Sequence, residues 1–322
     1  MILINVLILS CGSRNKLVEY FMDRKNGFGR VITTDCNDFA PALYKSDKYY
    51  IVPKYHESGY FEAIVQICKA ENISLVIPLQ EEELLIIAKN KERLEGAVEK
   101  KILIAVSSFH TVDLCKDKLE LYNFLHNNGI PCVNTNLAVD FEKTFRASQN
   151  VVIKPRKGAG SVNTNIVSSR ELGNALISNT KEELIVQPFI KGIEYGVDAY
   201  RDFISRDIIS IFIKQKIRMR SGETEKSISV INEQIDKLVR DAIIAVDAVG
   251  QLDIDVIQDG KDYYILEINP RFGGGYPHAY ECGINFPKFL YNNAVNLVNE
   301  PLNNQYKEGV KCMKYSDVII IQ

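Results

Sequence analysis

Residues 252–275 read LDIDVIQDGKDYYILEINPRFGGG. The two flanks, LDIDVIQ and DYYILEI, are rich in Val, Ile, Leu and Tyr, and Asp259-Gly260 between them is a hairpin signal. How that hairpin closes decides which side chains share a face, because successive residues of a strand point to opposite sides. A two-residue Asp-Gly turn pairs Gln258 with Lys261 and puts Glu267 on the face opposite Asp255. A three-residue loop, Asp259 to Lys261, pairs Gln258 with Asp262, sets Asp255 beside Ile265 and sends Asp253, Asp255, Glu267 and Asn269 to one face. The odd-length loop is the expected one. Like charges about 4 Å apart repel by roughly 4 kcal/mol at an effective dielectric of about 20, so carboxylates clustered on a strand face call for a cation. Asp255, Glu267 and Asn269 are hard oxygen ligands that suit magnesium shared with phosphates. A solvated acidic face on an ordinary hairpin is the alternative without a metal.

Upstream, residues 150–167 read NVVIKPRKGAGSVNTNIV. The spacing predicts a strand carrying Lys154, a loop with Lys157, Gly158, Gly160 and Ser161, and a second strand. Mobile glycine-rich backbone can close over phosphates, and Lys154 can neutralise them. A glycine-containing hairpin turn explains KGAGS as well, and the Walker spacing GxxxxGK[ST] is missing, which disfavours a P-loop NTPase. Residues 183–200, ELIVQPFIKGIEYGVDAY, predict a strand, a short linker and a further strand. Adenine needs backbone acceptors and donors, which the linker Gln187 to Ile190 offers. The Gln187 carbonyl is assigned to the adenine amino group and the Phe189 N–H to a ring nitrogen, with Pro188, which has no N–H, between them. Glu194 is placed to accept from ribose hydroxyls. A plain edge strand is the alternative.

INVLILS (residues 4–10) is a buried-type strand ending at Cys11-Gly12-Ser13-Arg14. A helical pattern with Leu17, Val18, Tyr20 and Phe21 follows, then the strand RVITTD. ISLVIPLQ followed by EEELLIIAKNKERLE repeats strand then helix, and KKILIAV adds another strand. The expectation is an α/β parallel sheet with helices on both faces, whose ligands bind at the carboxyl ends of the strands. Gly12, Ser13, Arg14, Glu81 and Glu83 fall there, although tight turns and a helix start account for them equally. Only Gly12 matches GxGxxG, so a dinucleotide site has little support.

The chain has 322 residues and a net charge of −2 without a basic run, which argues against nucleic acid or a membrane surface as partner. Seven cysteines without a CxxC spacing read as reduced thiols in a cytoplasmic protein. LILSCGS imitates a lipoprotein cleavage site, but Asn5 interrupts its short apolar stretch and no base precedes it. Four histidines without an HxxH pair give zinc chemistry no support. TVDLCKDKLELYNFLHNNG is expected to form one helix, NEQIDKLVRDAIIAVDAVG an amphipathic core helix, and SDVIIIQ a last strand completing a sheet.

Taken in order, Lys118, Lys154, the glycine loop, Gln187 to Glu194, Asp255 and the EINPR box ending at Arg271 resemble the ATP-grasp superfamily, most closely its carbamoyl-phosphate synthetase large-chain-like group. The resemblance covers roughly residues 110–300, and the EINPR box with its upstream acid is the specific part. It implies a Rossmann-like pre-ATP-grasp domain over 1–107, a helical connection over 108–132, an ATP-grasp lid over 133–185 and a catalytic lobe over 186–322. It assigns Lys118 and Lys154 to the phosphates of ATP, Asp255, Glu267 and Asn269 to one or two magnesium ions (or manganese), and Arg271 to stabilising the reacting centre. Gln187, where the family often has Glu, and Asp255, where it often has Gln or Glu, depart from the pattern.

The implied activity is an ATP-dependent, ADP-forming carboxylate–amine ligase that works through an acyl phosphate, with small-molecule carboxylate and amine substrates. Arg271 and the backbone of Gly273, Gly274 and Gly275 would stabilise the tetrahedral oxyanion. Lys214, Lys216, Arg218 and Arg220 alternate along IFIKQKIRMR, and Arg218 and Arg220 are further substrate candidates against a reading as solvated edge charges. A nucleotide-binding regulator without turnover and a phosphotransferase or carboxylase relative are the other readings. Full carbamoyl-phosphate synthesis does not fit, because the chain has one nucleotide module where that family's large chain has two. A homodimer through the amino-terminal domain is a further expectation.

Overall fold

The computed structural model describes residues 2–148, 150–158, 160, 162–220, 222–302 and 305–321. Its strands fall into three sheets, each drawn from one stretch of the chain. In the first, β1 (Ile4–Leu9), β2 (Phe28–Asp35), β3 (Lys48–Ile51), β4 (Ile73–Pro78) and β5 (Leu103–Ile104) pair in parallel in the order β3-β2-β1-β4-β5. The run INVLIL is uninterrupted by polar alternation beyond Asn5 because helices cover both faces. Val6 and Ile8 join a core with Phe21 and Phe28, whereas Leu7 and Leu9 join another with Tyr60, Ile64 and Leu84.

The second sheet is antiparallel, with β6 (Asn136–Leu137), β7 (Val151–Pro155), β8 (Asn165–Val167) and β9 (Leu184–Pro188) in the order β6-β9-β7-β8. The third is also antiparallel. It holds β10 (Ile193–Arg201), β11 (Ile208–Arg220), β12 (Glu223–Val230), β13 (Gly250–Asp259), β14 (Asp262–Asn269) and β15 (Lys311–Met313), in the order β14-β13-β10-β11-β12-β15.

The third sheet is two-faced, and the alternation in its sequence is why. Val197, Ile211, Ile213, Leu252, Ile254, Val256, Ile265 and Ile268 pack with Ile235, Leu238, Val239, Ala242 and Ile243 of the helix Glu233–Ala245. That helix is the amphipathic one expected, capped by Asn232, whose side chain accepts from the Ile235 N–H. The intervening residues, among them Asp198, Lys214, Lys216, Asp253 and Asp255, lie on the other face.

Three sequence expectations are corrected. The hairpin joining β13 and β14 closes with Asp259 opposite Asp262, leaving a two-residue turn of Gly260 and Lys261 instead of the three-residue loop. Gly260 has φ +59°, a conformation that glycine adopts without steric cost. The register runs Val256 opposite Ile265 and then Asp255 opposite Glu267, so Leu266 is an extra residue, a β-bulge. An even turn alone would send Glu267 to the wrong face, and the bulge restores it.

The stretch from Thr111 is two helices, Phe109–Lys116 and Lys118–Asn127. They break at Asp117, whose carboxylate caps the second by accepting from the N–H groups of Leu119 and Glu120 and is held by Arg156. SDVIIIQ completes no sheet: residues 316–321 have no regular structure and Val318 and Ile320 are exposed, while Lys311–Met313 takes the edge beside β12. β-propensity without a partner strand does not make a strand. Among the described residues no helix is long and apolar enough to cross a membrane.

Candidate active site

Two cavities meet on the polar face of the third sheet. The first, about 230 Å³, lies between the second and third sheets and is lined by Lys118, Lys154, Gly158, Gly160, Gln187 to Ile190, Glu194, Asp255 and Glu267. Val133, Val152, Ile166, Ile257 and Leu266 give it apolar walls. The bulge therefore does two things: it turns Glu267 to face Asp255 and aims Leu266 into the cavity. The second, about 310 Å³, reaches toward the amino-terminal sheet and is lined by Arg14, Gln80, Glu81, Lys216, Glu223, Asp253, Arg271, Gly274 and Gly275. Gly160, Glu194, Asp255 and Glu267 border both.

Charge is arranged in opposed groups. On the first cavity's wall, burial and the neighbouring Lys118 hold the Lys154 ammonium below its ordinary pKa, with Glu267 opposing them. Two lysines that repel each other in a partly dry cavity are suited to a polyanion. On the floor, burial together with Asp253 and Glu267 raises the Asp255 carboxyl to about 6, despite Lys216. Asp255, Glu267 and Asn269 thus share one face, as expected, and the Asn269 amide lies 3.3 Å from Glu267. Among the described residues no group of three or more His, Cys, Asp and Glu is gathered for a metal. Two carboxylates and an amide oxygen fit magnesium, which keeps part of its coordination for water and phosphate.

Arg271 is held from two sides, donating through Nη2 to Glu81 (2.7 Å) and through Nη1 to Asp253 (2.8 Å). Burial works against its charge, yet Asp253 and Glu81 outweigh it and leave the guanidinium more firmly protonated than usual. Reciprocally, burial pushes Asp253 up, but Arg271, Lys214 and Lys216 bring it below the ordinary carboxylate value. The glycines after Arg271 are needed for close approach. A Cβ on Gly273 would stand 2.4 Å from the Asp253 carboxylate, and one on Gly275 would stand 2.7 Å from Lys214 Cε.

Several sequence assignments change. The Phe189 N–H donates to the Asn150 carbonyl at 3.0 Å, so it is not free to serve adenine. Gln187 is buried and its side-chain amide donates to Thr135 at 2.7 Å, leaving only its backbone for a ligand. Lys157 turns to Asp117, 3.5 Å away. Ser161 lies outside the described residues. Glu83 does not face the substrate space: two residues along a helix are separated by roughly 200°, so Glu81 looks into the cavity while Glu83 is fully buried against Ser10 and Tyr60. Arg218 and Arg220 are mostly exposed and pair with Glu225, at 2.9 and 3.5 Å.

Of the four alternating bases on that strand, Lys216 alone lines a cavity, the second. Lys216 reaches Asp255 at 2.7 Å with 5% of its side chain exposed, and Lys214 is buried against Asp198. Their alternation was visible in the sequence. β11 pairs with β10 only up to Gln215 but with β12 as far as Arg220, so exposure rises along its projecting end, from Lys216 just past that limit to Arg218 and Arg220.

A family model for the ATP-grasp domain matches residues 115–275, and one for the PylC-like N-terminal domain matches residues 6–100. The chain belongs to the ATP-grasp family. Among curated proteins it is similar to the carbamoyl phosphate synthase large chain of Clostridium acetobutylicum, 23% identical over 235 residues, covering 67% of this chain and 21% of that one. It also resembles the D-alanine–D-alanine ligase of Clostridium beijerinckii, 27% identical over 175 residues, covering 48% of this chain and 58% of the ligase. The chain thus spans about a fifth of the first relative's length. The N5-carboxyaminoimidazole synthetase of Staphylococcus aureus, solved in complex with ADP, has the same fold, with a TM-score of 0.74 at 15% identity over 94% of this chain and 80% of that one.

Proposed function

We propose that this protein is an ATP-dependent, ADP-forming ligase that joins a small-molecule carboxylate to an amine through an acyl phosphate. The observation that carries the reading is Asp255 opposite Glu267 at the boundary between a lysine-lined cavity and an arginine-held one. The first cavity takes ATP. Its adenine lies against Val133, Leu266 and Ile257, meets the linker at the Gln187 carbonyl and the backbone of Ile190, and presents its ribose to Glu194. Lys154 and Lys118 neutralise the phosphates, with Gly158 and Gly160 closing over them. Asp255, Glu267 and Asn269 would hold magnesium, which supplies charge neutralisation between phosphates.

A carboxylate oxygen of the substrate then attacks the terminal phosphorus and ADP leaves. The amine attacks the carbonyl carbon of the resulting acyl phosphate, and inorganic phosphate leaves with the electrons of the broken C–O bond. Arg271, pinned by Glu81 and Asp253, offers a fixed positive group to the developing oxyanion and needs no reorganisation. Lys216, beside Asp255, is positioned to follow the phosphoryl group. The division into 1–107, 108–132, 133–185 and 186–322 is retained as a proposal, with the boundary between the last two moved past Pro188, where the last strand of the third segment ends. A cytoplasmic homodimer is part of the same proposal. Incubation with ATP and mixed carboxylates and amines should release ADP and phosphate; AMP and pyrophosphate as products would rule the mechanism out.

A further inference from the structure

Arg14 stands apart from the other bases of the second cavity. Arg271 is committed to Glu81 and Asp253, and Lys216 to Asp255 with Glu194 at 3.8 Å. Among the described residues, Arg14 has one ionic partner, Glu223, at 3.4 Å. That separation is too long for a strong charge-assisted hydrogen bond. The side chain is nonetheless mostly withdrawn from water, 26% exposed, and it lines the cavity. It reaches there because Gly274 gives it room: a Cβ at 274 would stand 2.8 Å from Arg14 Nη1. A planar five-donor group held in a cavity with most of its donors unused among the described residues is a recognition element for a planar anion.

Glu223 is built to be exchanged. Its Oε1 faces Arg14, while its Oε2 accepts from Lys314 Nζ at 2.7 Å. When an incoming carboxylate takes Arg14, Glu223 keeps Lys314, so the swap leaves no carboxylate without a partner. The rest of the wall limits what that anion can be. Each of the other bases is already matched by acids, so a dianion would add charge where none is needed, whereas a zwitterion adds no net charge.

We propose that Arg14 is a specificity-determining residue that binds the α-carboxylate of a zwitterionic amino-acid substrate by displacing Glu223. This rests on the ligase reading above and extends it. The substrate carries its recognition carboxylate into the interface between the amino-terminal sheet and the third sheet, so both sheets must be in place for it to bind.

The test uses a panel of α-amino acids and their α-amides, with magnesium and ATP, on the full chain and on R14Q, R14K and E223Q. Calorimetry with magnesium and ATP is the control. Its absence in the wild-type chain would count against the ligase reading itself, separately from this proposal. With nucleotide bound, at least one amino acid should stimulate ADP release far more than its amide. R14Q should raise the KM for that amino acid by about tenfold to a hundredfold and erase the preference over the amide, R14K should restore part of it, and E223Q should lower the KM. A purely structural Arg14 would not give opposite effects in R14Q and E223Q. No response to any amino acid, equal response to the amides, or an unchanged preference in R14Q each overturns the proposal.

Discussion

Asp255 lies directly across from Glu267 on adjacent antiparallel strands, and Leu266 is the extra residue that brings them together. Bulges beside functional sites re-aim side chains in this way. Asp255→Asn and Glu267→Gln should each weaken magnesium-dependent ATP binding by at least about tenfold, since each removes a charged oxygen from a small donor set. Calorimetry with and without the divalent ion separates this from a general loss of nucleotide affinity.

Asp255 carries a pH dependence of definite sign. Its carboxyl is raised from 3.8 to about 6, so between those values the folded protein holds a proton that the unfolded chain has released. The folded state binds more protons in that window, and this group's contribution to stability therefore falls as pH rises through it. Metal binding runs the other way, because a cation requires the deprotonated form. Affinity for magnesium with ATP should climb up to about tenfold per pH unit as pH rises toward about 6 and then level off. A flat titration across this range contradicts the assignment of Asp255 as a ligand.

Lys216 supplies the positive charge that Asp255 would otherwise lack, since it lies 2.7 Å away with 5% of its side chain exposed. Lys216→Met should lower stability by up to about 3 kcal/mol in a chelator, because a largely buried carboxylate loses its partner. Added magnesium should recover part of the loss. Thermal unfolding with and without the ion measures both.

Arg218 is mostly exposed and paired with Glu225, outside both cavities. Arg218→Ala should leave stability within about 0.5 kcal/mol of the parent and turnover nearly unchanged. A sharp loss of turnover would return Arg218 to the site.

Glu83 is fully buried, and burial raises its carboxyl to about 7 even though Tyr60 and Ser10 donate to it. Its other oxygen has no hydrogen-bond partner among the described residues. Its folded value lies above the unfolded one, so its contribution is lost as pH rises from about 4.5 to about 7. Glu83→Gln keeps an acceptor for Tyr60 and Ser10 without the charge and should stabilise the protein on the order of 1 kcal/mol at alkaline pH, with no gain at acidic pH. Denaturant unfolding at the two extremes checks it.

Much of the architecture could be read from local pattern. INVLIL and ISLVIP are continuous apolar runs, as strands covered on both faces must be, and the stripe from Ile235 to Ile243 keeps the helical period. Lys154, Asp255, Glu267 and Arg271 line the two cavities, with Asn269 beside Glu267, and their types and order in the sequence were enough to single them out as candidates. The partners of those residues were not legible. Glu81 and Glu83 differ only in helical phase, and Lys216 and Arg218 only in how far each lies beyond the last pairing of β11 with β10.

Propensity, periodicity and ligand type are properties of short segments, so the kinds of element and the residue types offered to the site were readable from the chain alone. Tertiary structure alone decided how the acids came to share a face, whether the Phe189 N–H was free, and which bases turned inward. Those outcomes depend on register and on competition for hydrogen bonds among segments far apart in the chain. Asn150 takes the Phe189 N–H, Leu266 resets the parity of a strand, and Glu81, remote in sequence, holds Arg271 in place.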